Sequence, residues 1–471
     1  MSYVLSIPSF NRTFAVKEED SKLRMTHNNG IRFKLLPYVT SSSVEACTDL
    51  STVVGRYLAK IERKESVSLS MQELITRLRN DEELEIQLGT DEIFSQVVRH
   101  MFFDANGQIR PINLRMFLQI SCKDKNETKL ADYLVDVLGD QEHLRKTLEK
   151  ALKKADDQSN ALERFAASKF ELKAPESSLK SEQHYQRITN ALVENFEKDF
   201  EYILGARNRT RDYLVPLLEF YYFAYTAQMI LQLNRFLDGD REKCIPLYFC
   251  LEWEKTSQNR QCFREGWNIL QDAISRVFAH VIVLEILNQT EDETEPIDYI
   301  KLREFINCAP EEDHRIAEEI KKLTDYYRSI ITDCSVMTEL SRRQSQDGET
   351  VAEVKYLFDS VRLQFENTTQ RNRPYNSYAK NFRDYCRKYL KSRGRSGMML
   401  SISEEMLIFL TKISIKDQEK VRLNDIFTEF ESRGVYLDDH SKSEVMRYYE
   451  KLNLIEKKSD SGDAQYVKRI L

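Results

Sequence analysis

A chain of 471 residues with 31% charged side chains, 13 glycines and nine prolines suits helices joined by short connections, not a β-rich or α/β fold, and has room for two to four domains. Its net charge of −6 excludes a uniformly basic coat, so any contact with nucleic acid must be local. The eight cysteines are scattered without a CxxC, and the N-terminus lacks the basic start and apolar run of a secretory signal, so free thiols in a cytoplasmic protein are expected.

Residues 1–40 read as an N-terminal arm centred on HNNGIRFKLLPY. His27-Asn28-Asn29-Gly30 predicts a turn, because Asn and Gly accept positive φ cheaply. Ile31 to Leu36 alternates apolar and basic and predicts a short strand or an extended arm, of which an arm docked on the helical body is the preferred reading. Residues 41–170 carry helical periodicity, with Gly139 ending one helix before the next begins. Pro and Ser in ELKAPESSLKSE make 171–182 a linker.

A central helical domain, 183–345, follows. Its most apolar stretch, Tyr213–Phe236, is apolar around the whole circumference, which excludes an amphipathic surface helix. Asp212 is its expected N-cap, and Pro216 then falls in the first turns. The stretch is long enough to span a membrane, but Pro216, Glu219, Gln228 and Gln232 interrupt it, so a buried core helix is expected and no membrane partner. The later run AISRVFAHVIVLEIL (273–287) holds His280, read as a buried, hydrogen-bonded histidine. TEDETEP (290–296) reads as an acidic surface loop.

Residues 351–397 form a basic helical connector. Arg371, Arg373, Lys380, Arg383, Arg387, Lys388, Lys391, Arg393 and Arg395 stand among Tyr375, Tyr378, Phe382, Tyr385 and Tyr389. Spacing of 3, 4, 3, 4 puts the aromatics on one helical face as a core stripe, and leaves Lys380, Arg383, Arg387 and Lys391 as a separate ridge able to contact phosphates or an acidic partner. RGRSG (393–397) reads as a flexible hinge.

Residues 398–471 fit a winged-helix module. Ser401 with Glu404, and Ser441 with Glu444, read as capping boxes opening its first and third helices, and Gly434 stops the second. LIEKK and AQYVKRI, joined by SDSGD, form the wing. Twelve Lys+Arg against fourteen Asp+Glu in 401–471 leave DNA binding and protein docking both open. Lys442, Arg447, Lys457, Lys458 and Lys468 are the candidates for a DNA contact.

The chain has no GxxxxGK[ST], HExxH, GxSxG or GxGxxG, and no cofactor, catalytic residue or metal ligand is read from it. Glu353-Val354-Lys355 after Asp347 is the sole trace of a nuclease-like acid-acid-lysine set, in a helical context that does not suit it.

Three blocks, HNNGIRFKLLPY (27–38), LVPLLEFYYFAYTAQMILQLNRF (214–236) and LNLIEKKSDSGDAQYVK (452–468), resemble the DptG family of bacterial phosphorothioation-dependent (Dnd) DNA restriction. Such systems replace a non-bridging phosphate oxygen of host DNA with sulfur, and a separate restriction set acts on DNA lacking that mark. The resemblance implies a subunit that is not the ATPase, bridging ATP-using partners resembling DptF and DptH or presenting DNA to them. The expected protein is thus mainly α, a multi-helix body with a C-terminal winged-helix module. The alternatives are a winged-helix DNA-binding transcriptional regulator and a nuclease with a dispersed metal site.

Overall fold

The computed structural model describes residues 3–19, 21–40, 45–66, 70–82, 90–105, 107–170, 172–173, 184–291, 295–309, 311–457 and 465–470. Among them are eighteen α-helices and eleven short strands, as the glycine- and proline-poor, charge-rich composition requires. One continuous apolar core runs from Tyr3 to Val467, and a second, small one gathers Leu74, Leu78, Val98, Phe102 and Met116.

The core is laid around the helix Arg207–Leu233, in which every residue from Phe220 to Leu233 is buried. By length and composition this is the one described helix able to cross a membrane, and 83% of its most apolar window lies inside the molecule. The helices Val193–Leu204 and Asn268–Leu287 pack on it. Its polar interruptions each serve the packing. Gln228 exchanges two hydrogen bonds with the backbone of Ile245 (2.9 and 2.7 Å) and Gln232 does the same with Asp240 (2.7 and 2.9 Å), replacing the partners a strand would have supplied to the returning loop. Glu219 accepts from Lys388 at 2.6 Å.

The helix starts earlier than expected. Its N-cap is Ala206, and Asp212 sits inside it, paired with Arg211. The extra turns are held by Thr210, whose hydroxyl donates to Ile203 O and Ala206 O, and by Arg207, which binds Glu163 at 2.6 Å. Pro216 therefore lies in the helix interior, where it withholds one backbone donor.

The arm carries the helix Ile7–Thr13 and a hairpin of Lys17–Glu19 with Lys22–Arg24. Ile31–Leu36 forms no strand and lies as an arm docked on the body, the preferred of the two readings its sequence allowed. Gly30 turns with φ +72, and the amides of Gly30, Ile31, Arg32 and Phe33 converge on the buried Glu285 carboxylate at 2.9, 3.2, 2.7 and 3.3 Å. Donors captured by a carboxylate cannot join a ladder, while the apolar alternation survives as buried Phe33 and Leu35.

In the 41–170 region, Gly139 (φ +80) separates Lys125–Val137 from Gln141–Gln158 as its sequence position implies. Of the expected linker 171–182 only Leu172–Lys173 is described, paired antiparallel with Glu65–Ser66. Of the acidic 290–296 segment, 292–294 lie outside the described residues.

The expected boundary at 397/398 falls inside a hairpin. Leu390–Ser392 pairs antiparallel with Met398–Ile402, and the latter pairs in parallel with Tyr248–Leu251, whose other edge takes Tyr436–Leu437. One four-stranded sheet thus joins the central and C-terminal parts. Arg393, expected in a flexible hinge, is instead anchored: its guanidinium donates to the carbonyls of Leu251 (2.6 Å), Glu252 (3.0 Å) and Glu254 (3.2 Å).

Three C-terminal helices follow, Glu404–Ile415, Leu423–Ser432 and Asp439–Lys451, with a second sheet of Lys420–Arg422, Gln465–Lys468 and Ile455–Lys457. The expected turn SDSGD lies outside the described residues. Gly434 (φ +79) follows the second helix as expected, but both capping boxes shift. Ser403 caps the first helix and Asp438 the third, because Ser401 is spent in the sheet and Ser441 faces inward. A buried ion pair clamps these helices to the body. Arg433, fully buried, binds Asp199 through two bonds of 2.7 and 2.8 Å, and Asp199 also accepts from Lys416 (2.8 Å) and the Tyr221 hydroxyl (2.7 Å).

Candidate functional site

The basic segment begins in the helix Thr369–Tyr385, tightens into the 3-10 turn Cys386–Tyr389 and continues as the edge strand Leu390–Ser392. All five aromatics are buried. Tyr389 and Phe382 pack on Phe223, Tyr385 on Tyr222 and Tyr378 on Phe278, so none offers a face to a base. The single helical ridge does not survive, because the helix stops at Tyr385 and Lys391 belongs to the strand.

The cations nonetheless remain at the surface. Lys380 and Arg387 share Asp384 at 3.8 and 2.9 Å, with side chains 55% and 75% exposed. Lys388 is committed to Glu219. Lys391 and Arg395 are exposed, Arg383 is half-buried, and none of these three has an ion pair among the described residues; the Arg383 Nε is also without a hydrogen bond. Lysines on an edge strand also oppose unwanted strand pairing.

The C-terminal candidates differ. Lys442 is held by Glu431 of the second helix at 2.9 Å and Arg447 by Glu444 of its own, so both cations of the third helix are paired within the unit. Lys468 is exposed on its strand, Lys457 lies in the strand Ile455–Lys457, and Lys458 is outside the described residues. Between the second and third helices runs a groove of about 400 Å³ lined by Leu423, Phe427, Met446 and Lys442.

Other suggestive residues are absorbed by the fold. The hydroxyl of Tyr299 lies 3.1 Å from His280 Nδ1, and burial pushes this histidine down to about 3, so it stays neutral, as a structural histidine should. His27 contacts Tyr327 and Arg371 and is likewise lowered to about 3, chiefly by burial. Arg342 grips both oxygens of Glu353 at 2.8 and 3.0 Å, which leaves the acid-acid-lysine set no free carboxylate there.

One cluster has no counterpart among the sequence-based candidates. Cys250 on the inner strand Tyr248–Leu251, Glu254 just beyond it and Cys262 before the next helix are all buried, with ligand atoms within 4.8 Å of one another. Cys250 Sγ lies 3.1 Å from Ser401 Oγ and 3.3 Å from Arg393 Nη2. Glu254 accepts from Ser441 Oγ (2.9 Å) and Arg260 (3.1 Å), and Arg260 also binds Asp438. The neighbouring Cys262 thiol, with Ser401 and Arg393, draws the Cys250 thiol down against burial, and the same pairing, with burial, raises Cys262. A spacing of C-x3-E-x7-C was the available signal. It is not a CxxC, and nothing local announces that the intervening turn folds back on the strand.

Comparison with protein-family models and with curated proteins finds no match for the chain.

Proposed function

We propose that this chain is a cytoplasmic, non-catalytic subunit of a phosphorothioation-dependent DNA restriction complex of the DptG kind. It holds DNA along residues 380–395 and docks ATPase partners of the DptF and DptH type through its C-terminal unit. The observation that carries this reading is the charge of that segment: Lys380, Arg383, Arg387, Lys391 and Arg395 stand against the single acid Asp384, in a chain whose net charge is −6. Such a stripe, mounted on buried aromatics and a fixed hairpin, suits a run of phosphates and carries no means of reading sequence.

The C-terminal unit reads as a winged helix. Its order of helix, strand, helix, helix and hairpin supports this, as does the pairing of Gln465–Lys468 with the strand between the first two helices. A groove-reading helix presents free cations, whereas Lys442 and Arg447 are bound to acids of their own unit. That favours protein docking over a transcriptional regulator.

The test is duplex-DNA binding by the full chain across a salt series, wild type against Arg383→Ala/Arg387→Ala/Lys391→Ala. Each lost phosphate contact flattens the log–log salt slope by about 0.9, so the triple variant is expected to bind more weakly on all sequences with a slope flatter by up to about 2.7. An unchanged slope removes DNA from this segment. Tight binding of one sequence alone revives the regulator.

A further inference from the structure

The cluster at the junction of the body and the C-terminal unit has the composition of a metal site. Two sulfurs and a carboxylate oxygen come from one short stretch of chain, and this is the one group of three such residues among those described that draws together this closely. In a tetrahedral zinc site, with sulfur about 2.3 Å and oxygen about 2.0–2.2 Å from the ion, neighbouring donors lie roughly 3.5–3.8 Å apart. Side-chain movement on the order of an ångström closes the three donors to that spacing.

The charges also balance. Arg260 is matched by Glu254 and Asp438, and Arg393 reaches toward Cys250 from the hairpin. The two guanidiniums and two carboxylates cancel, so the cluster is neutral with both thiols protonated. A divalent cation displaces the two thiol protons and leaves it neutral, with no buried charge uncompensated. Behind two of the three donors stand hydrogen-bonding groups of the kind that orient ligands: Arg393 and Ser401 on Cys250, Ser441 and Arg260 on Glu254. Two thiolates favour zinc over magnesium or calcium.

We propose that Cys250, Glu254 and Cys262 bind a zinc ion that fastens the inner strand to the Arg393 hairpin and to the start of the third C-terminal helix. The ion's fourth position is left to water or to the Ser401 hydroxyl. The site is independent of the DNA reading. Its role is to hold together the surface on which the C-terminal unit sits.

Full-length protein isolated under reducing conditions is expected to carry about one zinc ion per chain by elemental mass spectrometry. Cys250→Ser and Cys262→Ser should lose it, while Cys308→Ser, at an exposed thiol, should keep it. Cobalt added to the metal-stripped wild type should give a thiolate-to-cobalt charge-transfer band that Cys262→Ser lacks. Absence of both zinc and the cobalt band in wild-type protein overturns the proposal, even if a serine variant fails to fold. A Cys250–Cys262 disulfide in the freshly isolated chain, read by non-reducing peptide mapping, overturns it as well and makes the pair a redox couple.

Discussion

Asp199→Ala is expected to destabilise the unfolding transition that includes residues 398–471 by about 3–5 kcal/mol, because it takes from a fully buried guanidinium its fully buried carboxylate partner. Arg433 sits in the angle between the second C-terminal helix and Val193–Leu204, and its remaining partners would be Glu429 and the Ile413 carbonyl. Arg433→Met should be milder, since Lys416 and the Tyr221 hydroxyl still serve Asp199 and methionine fills much of the volume. The double variant removes both charges together and should recover part of the loss. Urea denaturation gives the energies, and limited proteolysis reports release of the C-terminal unit. The two observables are needed because a chain with more than one core need not unfold in one step. If Asp199→Ala unfolds within about 1 kcal/mol of wild type, the clamp is not what holds the two parts together.

Glu285→Ala is the second large effect. The carboxylate divides its acceptors, Oε1 taking Arg32 N and Oε2 taking Gly30, Ile31 and Phe33 N. Alanine leaves these donors without their acceptor, and each one that stays buried costs about 1–3 kcal/mol, so a loss of about 3 kcal/mol is expected. The damage should be local. Hydrogen exchange at residues 30–33 and proteolysis after Lys34 should accelerate strongly, while the Asp199–Arg433 region keeps its protection. Uniform acceleration along the chain would instead mean that the arm is part of the core's cooperative unit.

What could be read from the sequence follows the range of the forces involved. The central helix was legible because its apolar residues run around the whole circumference, a pattern with few physical outcomes. Its start was not. RNRTRD has no periodicity, and the turns it forms depend on Glu163 and Ile203, which only the fold brings near. The aromatic stripe of 375–389 was read correctly as core, although the helix ends within it, because Tyr389 beyond that end still packs on Phe223. The alternation at 31–36 fitted a strand or a docked arm, and the arm prevailed because a carboxylate about 250 residues away claimed its amides. Cys250 and Cys262 escaped notice for the same reason. Their meaning depends on Arg393, Ser401 and Ser441, and a single sequence without partners in space cannot express that.

The placement of Tyr248–Leu251 between Met398–Ile402 and Tyr436–Leu437 sets a timetable for synthesis. The strand leaves the ribosome with both edges open, and its partners follow about 150 and roughly 190 residues later. At about 5–20 residues per second that is a wait of roughly ten to forty seconds. Meanwhile LYFCL, apolar, uncharged and free of proline, is the kind of segment that pairs with its neighbours on other chains. A nascent chain must shelter it against the central helix until the last strands arrive. A message cut short before Met398 would yield a body whose inner strand never acquires a partner.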